Sequence, residues 1–237
     1  MTGAGSTKRA RTPVAGRLIA RVLLALLAVG FTGFAAVERY APLDPSAKPH
    51  LFTGLQLSLM RLAPGRCTAA LGRAAGVSFT PAPRPMQDGC GYPDGVRLRS
   101  DAVNYGGPVL LRCPAAVALV MWERNVLQPA AQEAFGRPAT AVQTFGTYAC
   151  RNIYHRTNAR RSQHALANAV DVAGVTVAGG QTISVLRDWK DDGAKGILLR
   201  RMRNGACGLF GTVLSPDYNA AHADHLHLDM AAWSVCR

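Results

Sequence analysis

An uncharged, leucine-rich run near the start of the chain, VLLALLAVGFTGFAAV over 22–37, decides in which compartment the rest of the chain folds. A spanning helix needs roughly 20 apolar residues, whereas the apolar core of a cleavable signal needs about 7 to 15. The run lies between these lengths, so it is either a signal anchor or a signal peptide. Leu18 and Ile19 extend it and favour the anchor, while Gly33 and Ala35 suit a cleavage site.

The flanking charges predict the orientation of this segment in the membrane. Five basic residues precede it, and they come before the first acidic residue of the chain: Lys8, Arg9, Arg11, Arg17 and Arg21. Basic flanks stay in the cytoplasm, so everything after the segment is expected to cross the membrane. The sequence predicts four regions in order: a basic cytoplasmic tail (1–17), the signal anchor or signal peptide (18–40), a proline-rich linker (41–51) and a folded domain (52–237).

The cysteines agree with export. All of them follow the apolar segment, and none form a C-x-x-C pair: Cys67, Cys90, Cys113, Cys150, Cys207 and Cys236. An even number of scattered cysteines is typical of disulfides in an oxidising compartment. Six cysteines allow 15 pairings, and the sequence does not choose among them.

The chain carries a net charge of +13, and it remains basic once the residues before the apolar segment are set aside. Such an excess suits an anionic partner, either a membrane surface or an acidic wall polymer, although it could serve solubility alone. Since the sequence has none of the patterns of the common nucleic-acid-binding folds, nucleic acid is not expected as a partner.

The patterning of the domain predicts an α+β fold around a small, mostly antiparallel sheet. Helices are expected early and strands late. The predicted helices cover 67–76, 113–136 and 191–205, with Pro114 and Pro129 at helix starts. The predicted strands cover 77–79, 95–99, TYACRN around residue 150, QTISVL at 181–186, and two in the tail on either side of a loop.

Two short clusters hold most of the histidines. The stretch AHADHLHLD, 221–229, contains three of the six, and RSQHALANAVDVAG, 161–174, contains His164 and Asp171. On a strand, residues two apart share a face, so His225 and His227 can point into one site. His164, Asp171 and His227 then make a set of two imidazoles and one carboxylate. Three protein ligands with one open position are typical of catalytic zinc.

Several neighbouring residues suit supporting roles in such a site. Asp224 or His225 could handle the proton of a zinc-activated water, and strand geometry favours His225. Asp229 suits a partner that orients a ligating histidine. Arg151, directly after Cys150, could bind a substrate carboxylate through two hydrogen bonds. His222 is either a spare ligand or a substrate-contacting residue at the rim.

The pattern S-x-H, a later D and a late H-x-H, at Ser162, His164, Asp171, His225 and His227, resembles zinc peptidases that cut peptidoglycan peptides. That group includes the D-Ala-D-Ala carboxypeptidases and shares a fold with lysostaphin-type enzymes and the hedgehog domain. From about residue 67 onward the chain resembles the bacterial extensin-like C-terminal domain family more closely. The motifs are GC at 89–90, YACR at 148–151, SQHALANAVDVAG, GACGLFGTVLSPDYN at 205–219 and HADHLHLD.

The resemblance implies a zinc peptidase core with His164, Asp171 and His227 as ligands and Ser162 as a hydrogen-bonding support. It implies an exported enzyme, held at the inner membrane or released into the periplasm, that hydrolyses amide bonds in peptidoglycan stem peptides or cross-links. The alternative is a non-catalytic, zinc-containing wall-binding or envelope module. One departure is Ala167, where relatives often have glycine; a positive φ there would strain alanine.

Overall fold

The computed structural model describes residues 14–40, 42–60, 62–232 and 234–237. It divides into two compact units, Met1–Pro42 and Leu43–Arg237. In the first unit, helix α1 runs over Val14–Tyr40. Its segment Gly16–Ala36 is long and apolar enough to cross a membrane, a test that a signal sequence also passes. The predicted basic tail lies outside the described residues up to residue 13, and from Val14 the chain is already helical.

The second unit begins with two short helices and a group of small strands. Helices α2 and α3 span Thr53–Leu59 and Pro64–Arg73. The strands are β1 Val77–Pro81, β2 Arg84–Gln87, β3 Cys90–Tyr92, β4 Gly95–Ser100 and β5 Val109–Arg112. Strands β1, β4 and β5 form an antiparallel sheet, and β2 and β3 form a separate hairpin.

A buried helical segment follows and supports the core. Every residue of α4, Cys113–Trp122, is buried, as expected for a helix that is apolar on all sides. A single π-helical stretch, Glu123–Leu127, joins it to α5, Gln128–Phe135. Pro129 has no N–H to continue the regular ladder, which accounts for an irregularity at this point. The buried indole of Trp122 donates to the Met202 carbonyl at 3.0 Å and so fixes this segment against a later helix.

The larger sheet has six strands and carries the histidine clusters. Its strands are β6 Ala139–Gly146, β7 Ala169–Val177, β8 Thr182–Ser184, β9 Thr212–Leu214, β10 Leu226–Asp229 and β11 Val235–Cys236. The order is β11-β9-β10-β7-β6 with β8 also on β7, and all pairs except β11–β9 are antiparallel. Helices α6 Val185–Asp188 and α7 Ala194–Ala206 lie between β8 and β9.

The α+β class and the mostly antiparallel pairing are confirmed, as are the helices at 113–136 and 191–205 within one or a few residues. Two details were wrong. The expected order of helices first and strands later is wrong, because β1 to β5 precede α4. TYACRN is not a strand, because β6 ends at Gly146, which has φ +110°, and the chain then leaves the sheet.

Three disulfides pair the cysteines predicted to be oxidised: Cys67–Cys113, Cys90–Cys150 and Cys207–Cys236. The first joins α3 to the start of α4. The second ties the β2–β3 hairpin to the segment before Arg151. The third holds the chain end beside the segment after α7. Leu43, within the segment predicted as a linker, is buried in the core.

Candidate metal centre

The register of two neighbouring strands brings the first two predicted ligands together. In the antiparallel pair β7–β10, Asp171 lies directly opposite His227. Side chains of opposed residues lie on the same face of a sheet and within contact distance. Accordingly, His227 Nδ1 lies 2.8 Å from Asp171 Oδ1.

A short 3₁₀ turn, Gln163–Leu166, supplies His164 just before β7 begins. Ser162 caps this turn, since its Oγ accepts the backbone N–H of His164 at 3.3 Å. The His164 Nε2 atom lies 3.1 Å from Asp171 Oδ2 and 3.2 Å from His227 Nδ1. One donor atom from each of the three residues therefore lies within 4.8 Å of the others.

Ala167 ends this turn in the left-handed region, with φ 48° and ψ 36°. Its N–H bonds to the His164 carbonyl at 3.1 Å, and its side chain is fully buried. The φ of Ala167 is thus positive, the condition under which alanine at this position is strained. A left-handed conformation costs an L-residue about 1 to 2 kcal/mol, so the chain tolerates local strain beside His164.

In both His164 and His227, the ring nitrogen that faces away from the cluster is already hydrogen-bonded. His164 Nδ1 lies 3.2 Å from the Thr147 carbonyl oxygen, and His227 Nε2 lies 2.9 Å from Asp229 Oδ2. Both partners are acceptors, so each ring donates there and presents a lone pair on its other nitrogen. Two lone pairs 3.2 Å apart beside a carboxylate repel one another unless a cation or a proton lies between them. This arrangement, with outer partners that orient the rings, fits a metal ion.

The electrostatics of the cluster point the same way. Burial opposes ionisation of Asp171, but hydrogen bonds and charge from His164 and His227 outweigh it and hold the pKa of Asp171 well below its usual range. Burial also opposes protonation of His227, yet the hydrogen bonds and charges of Asp171 and Asp229 raise its pKa to about 9. The cluster therefore stabilises positive charge beside Asp171, which is the electrostatic setting of a cation site.

His225 and Asp224 lie at the edge of the cluster, immediately before β10. His225 Nδ1 is 2.7 Å from Asp224 Oδ1, and its Nε2 is 3.6 Å from Asp171 Oδ1. The Asp224 side chain is 46% exposed, whereas that of His225 is only 13% exposed. Only the imidazole faces the three donor atoms, and the carboxylate holds the far side of the ring.

His222 lies beside the cluster but is not among its three donor residues. Its Nδ1 is 2.8 Å from Asn219 Oδ1, and its ring lies 5.2 Å from that of His225. The rings of Tyr154 and Tyr218 also contact it edge-on. Burial, and then the charges of His225 and His227, lower the pKa of His222 to about 4, so this imidazole is neutral at neutral pH.

An open cleft of about 740 Å³ extends from the cluster. One wall carries Arg151, Arg160 and Arg161, and the only acidic side chains among the described lining residues are Asp171 and Asp229. Arg161 donates to the Asp88 carbonyl and to Asn152, so the β2–β3 hairpin supports this wall together with the Cys90–Cys150 disulfide.

The sequence predicted the set of three ligands but not several other residues of the cleft. Thr147 contributes only its backbone carbonyl, which accepts from His164, and a pattern of side chains cannot predict such a contact. Asn219 and Tyr154 bond to each other at 2.9 Å, and Asn219 also caps the 3₁₀ turn Ala220–His222. The spacing N-x-x-H before the last cluster is a capping signal that could have identified Asn219. Arg161 is the first residue of the second motif and Arg160 directly precedes it, yet neither was predicted to line the site.

The fold and the cleft together define an α+β domain with three disulfides and a His–Asp–His cluster at its larger sheet. Residues 65–237 match the model of the family described as extensin-like protein C-terminus. Since this match covers well over half of the chain, the protein belongs to that family. No curated protein and no solved structure matches the chain. Family membership is confirmed, while the likeness to zinc peptidases stays a prediction.

Proposed function

We propose that this protein is an exported zinc-dependent peptidase that hydrolyses amide bonds in the stem peptides or cross-links of peptidoglycan. The observation that carries the proposal is the convergence of His164, Asp171 and His227 beside an oriented His225 at the floor of an open cleft.

Zinc suits this donor set. Two imidazole nitrogens and one carboxylate oxygen are ligands that Zn²⁺ takes in catalytic sites, where a fourth position remains for water or substrate. His164 and His227 have their other nitrogens bonded to Thr147 and Asp229, so both rings are held in the tautomer that a metal requires. When bound, zinc polarises a carbonyl oxygen and makes a water molecule more acidic at neutral pH.

His225 is the proposed proton carrier. Its Nδ1 donates to Asp224, so its Nε2 is free to accept a proton on the side that faces the donor cluster. The Asp224 carboxylate fixes this tautomer and stabilises the ring once it is protonated, as a carboxylate does behind a catalytic histidine. His225 would take the proton of the attacking water and return it to the departing amine. Asp224 is then a positioning residue.

The arginine wall indicates the kind of substrate. Arg151, Arg160 and Arg161 line the cleft next to the cluster, and within 151–161 the sequence has four arginines and no acidic residue. Guanidinium groups bind carboxylates in a two-point geometry. The cleft therefore suits a peptide with a free carboxylate near the bond to be cut, which agrees with the anionic stem peptides of the wall polymer. His222, neutral and in edge-on contact with Tyr154 and Tyr218, also lines the cleft.

The N-terminal unit and the disulfides support a compartment outside the cytoplasm. Helix α1 suits either a membrane anchor or a signal sequence, and the three disulfides are compatible with an extracytoplasmic domain. We place the domain in the periplasm, tethered to the inner membrane through α1 if that helix is retained.

The decisive experiment incubates the full chain in mild detergent with purified peptidoglycan sacculi and identifies soluble products by mass spectrometry. Zinc-loaded protein is expected to release shortened stems or split cross-links, and a chelator is expected to stop the release. His225→Ala should retain zinc but release no product, whereas His50→Ala, at an exposed histidine remote in sequence from both clusters, should behave as wild type.

The opposite result has a definite meaning. If folded, zinc-loaded protein releases nothing from sacculi of several compositions yet sediments with them, the non-catalytic wall-binding module replaces the enzyme. If the protein neither binds zinc nor sacculi, both functions are excluded.

A further inference from the structure

A stripe of exposed leucines begins directly after the N-terminal unit. Leu51, Leu55 and Leu62 are 91%, 47% and 82% exposed, and Leu59 is partly exposed. Steps of three or four residues place side chains on one side of a helix, and α2 covers the middle of this stretch. We call these four residues the leucine stripe.

The stripe is not the packing face of α2. That face is formed by Thr53, Gln56 and Leu57, which are buried against the core, together with Met60 just beyond the helix. The buried face of α2 is thus mixed, with Thr53 and Gln56 beside Leu57, whereas the exposed leucines lie outside the core of the described chain. Exposed apolar side chains grouped in this way mark a contact surface, whereas single exposed leucines such as Leu186 are ordinary.

The charge around the stripe indicates what the surface contacts. Between residues 45 and 87 the sequence contains no acidic residue. Lys48, Arg66 and Arg73 are exposed within this range, and the Arg73 guanidinium also donates to the Leu43 carbonyl at 2.9 and 3.1 Å. Leucines bordered by basic residues are typical of segments that lie in the interface of an anionic bilayer.

The chain also keeps this surface close to a membrane. The candidate span ends at Ala36, and the stripe begins at Leu51. The intervening segment reaches at most about 50 Å even when fully extended. A bilayer that holds α1 is thus within reach of the stripe at high local concentration, so weak individual contacts suffice for binding.

We propose that the leucine stripe and its basic border form a membrane-docking surface that seats the domain on an anionic lipid bilayer. The leucines enter the headgroup region, and the positive charge of the basic border attracts anionic lipid phosphates. This surface lies on α2 and its flanks and shares no residue with the cleft, so it would set how the domain is held against the membrane. The inference is independent of the peptidase proposal and rests on retention of α1 in the bilayer.

The test uses the full chain in lipid nanodiscs. All six native cysteines are in disulfides, so Leu55→Cys and Leu62→Cys can each carry a polarity-sensitive fluorophore, with Leu186→Cys as the matched exposed control. Nitroxide lipids labelled near the headgroup should quench positions 55 and 62 several-fold more strongly than position 186. Quenching should be stronger in discs that contain phosphatidylglycerol than in phosphatidylcholine discs, and added salt should reduce the difference.

Two outcomes overturn the proposal. Equal, weak quenching at the three positions means that the stripe does not contact lipid. A blue-shifted emission at 55 and 62 without lipid quenching means that the stripe is covered by protein, as in a second copy of the chain. Hydrogen exchange on the unmodified chain checks the labelled variants: amides of 51–62 should exchange more slowly in anionic than in neutral discs, and those of 185–190 should not change.

Discussion

Two buried carboxylates in this domain have opposite electrostatics. Asp171, on β7, is hydrogen-bonded to the imidazoles of His164 and His227, and its pKa is lowered despite burial. Glu123, after α4, accepts hydrogen bonds from the hydroxyls of Ser100 and Tyr105 at 2.6 and 3.1 Å. Burial raises the pKa of Glu123, and the hydroxyls and the nearby Arg124 only partly oppose it.

The two carboxylates differ in whether their hydrogen-bonding partners can carry positive charge. Hydroxyl groups remain neutral, so Glu123 is part of a polar network that the core encloses, and Tyr105 is held protonated because burial and then Glu123 raise its pKa. Imidazoles can take up a proton or donate a lone pair to a metal ion. Asp171 can therefore bind a cation together with His164 and His227. Burial of a carboxylate therefore does not identify a metal site by itself; the partners do.

The largest effect should follow from removing the carboxylate charge at Asp171. Asp171→Asn keeps the shape but removes the anionic ligand, so zinc affinity is expected to fall by more than about 100-fold, beyond the range typical of outer partners. Glu123→Gln is the matched control, a buried carboxylate made neutral, and should retain zinc. Zinc per chain after dialysis, measured by mass spectrometry of the metal, checks both. Equal loss in the two variants would contradict the assignment of the site to Asp171.

A large kinetic effect without metal loss is expected at His225. His225→Ala removes the proposed proton carrier, and kcat should fall by about 10² to 10⁴, the range typical of general acid–base catalysis. Because His225 is not one of the three donors, zinc content should stay at the wild-type level. Asp224→Asn should give a smaller fall in kcat, since the ring remains but loses its orienting charge. Reaction of soluble stem peptides followed by chromatography separates kcat from KM.

If Asp224→Asn lowers kcat more than His225→Ala does, the roles are reversed and Asp224 is the proton carrier. This outcome would require the exposed Asp224 side chain to turn toward the donor cluster.

A moderate effect is expected from the outer partner of His227. Asp229→Asn keeps a side chain at Nε2 but weakens the acceptor that fixes the tautomer. Zinc affinity is expected to fall by about 10- to 100-fold, less than for Asp171→Asn. Competition with a chromophoric chelator measures the affinity. An unchanged affinity would mean that the tautomer of His227 does not depend on Asp229.

Much of this site was predictable because its chemistry is concentrated in short sequence motifs. Residue type and spacing single out His164, Asp171 and His227, whereas the sequence leaves the φ of Ala167 open. The cross-strand register that joins Asp171 to His227 was not predictable, since β7 and β10 are far apart in sequence and their pairing depends on the whole sheet.

The parts that were missed have a common physical reason. Strand β6 is only partly buried along its length, so its apolar pattern is weak, and the carbonyl of Thr147 beyond its end carries no sequence signal. TYACRN has strand-forming residues, yet Cys150 is bonded to Cys90 outside the larger sheet. In both cases long-range contacts outweigh the local preference of the segment.

The smallest predicted effect is the contribution of Glu123 to the pH dependence of the free energy of unfolding. Its pKa is higher in the folded than in the unfolded chain, so the folded state holds the proton more tightly. That stabilisation is fully present below the unfolded pKa and is lost as the pH rises through the raised folded value. Metal-free wild type should therefore lose stability relative to Glu123→Gln as the pH rises across this window. Other titrating groups such as His222 are present in both proteins and contribute equally. Denaturant unfolding at a series of pH values measures the slopes, and identical slopes would mean that the hydroxyls of Ser100 and Tyr105 fully compensate the buried charge.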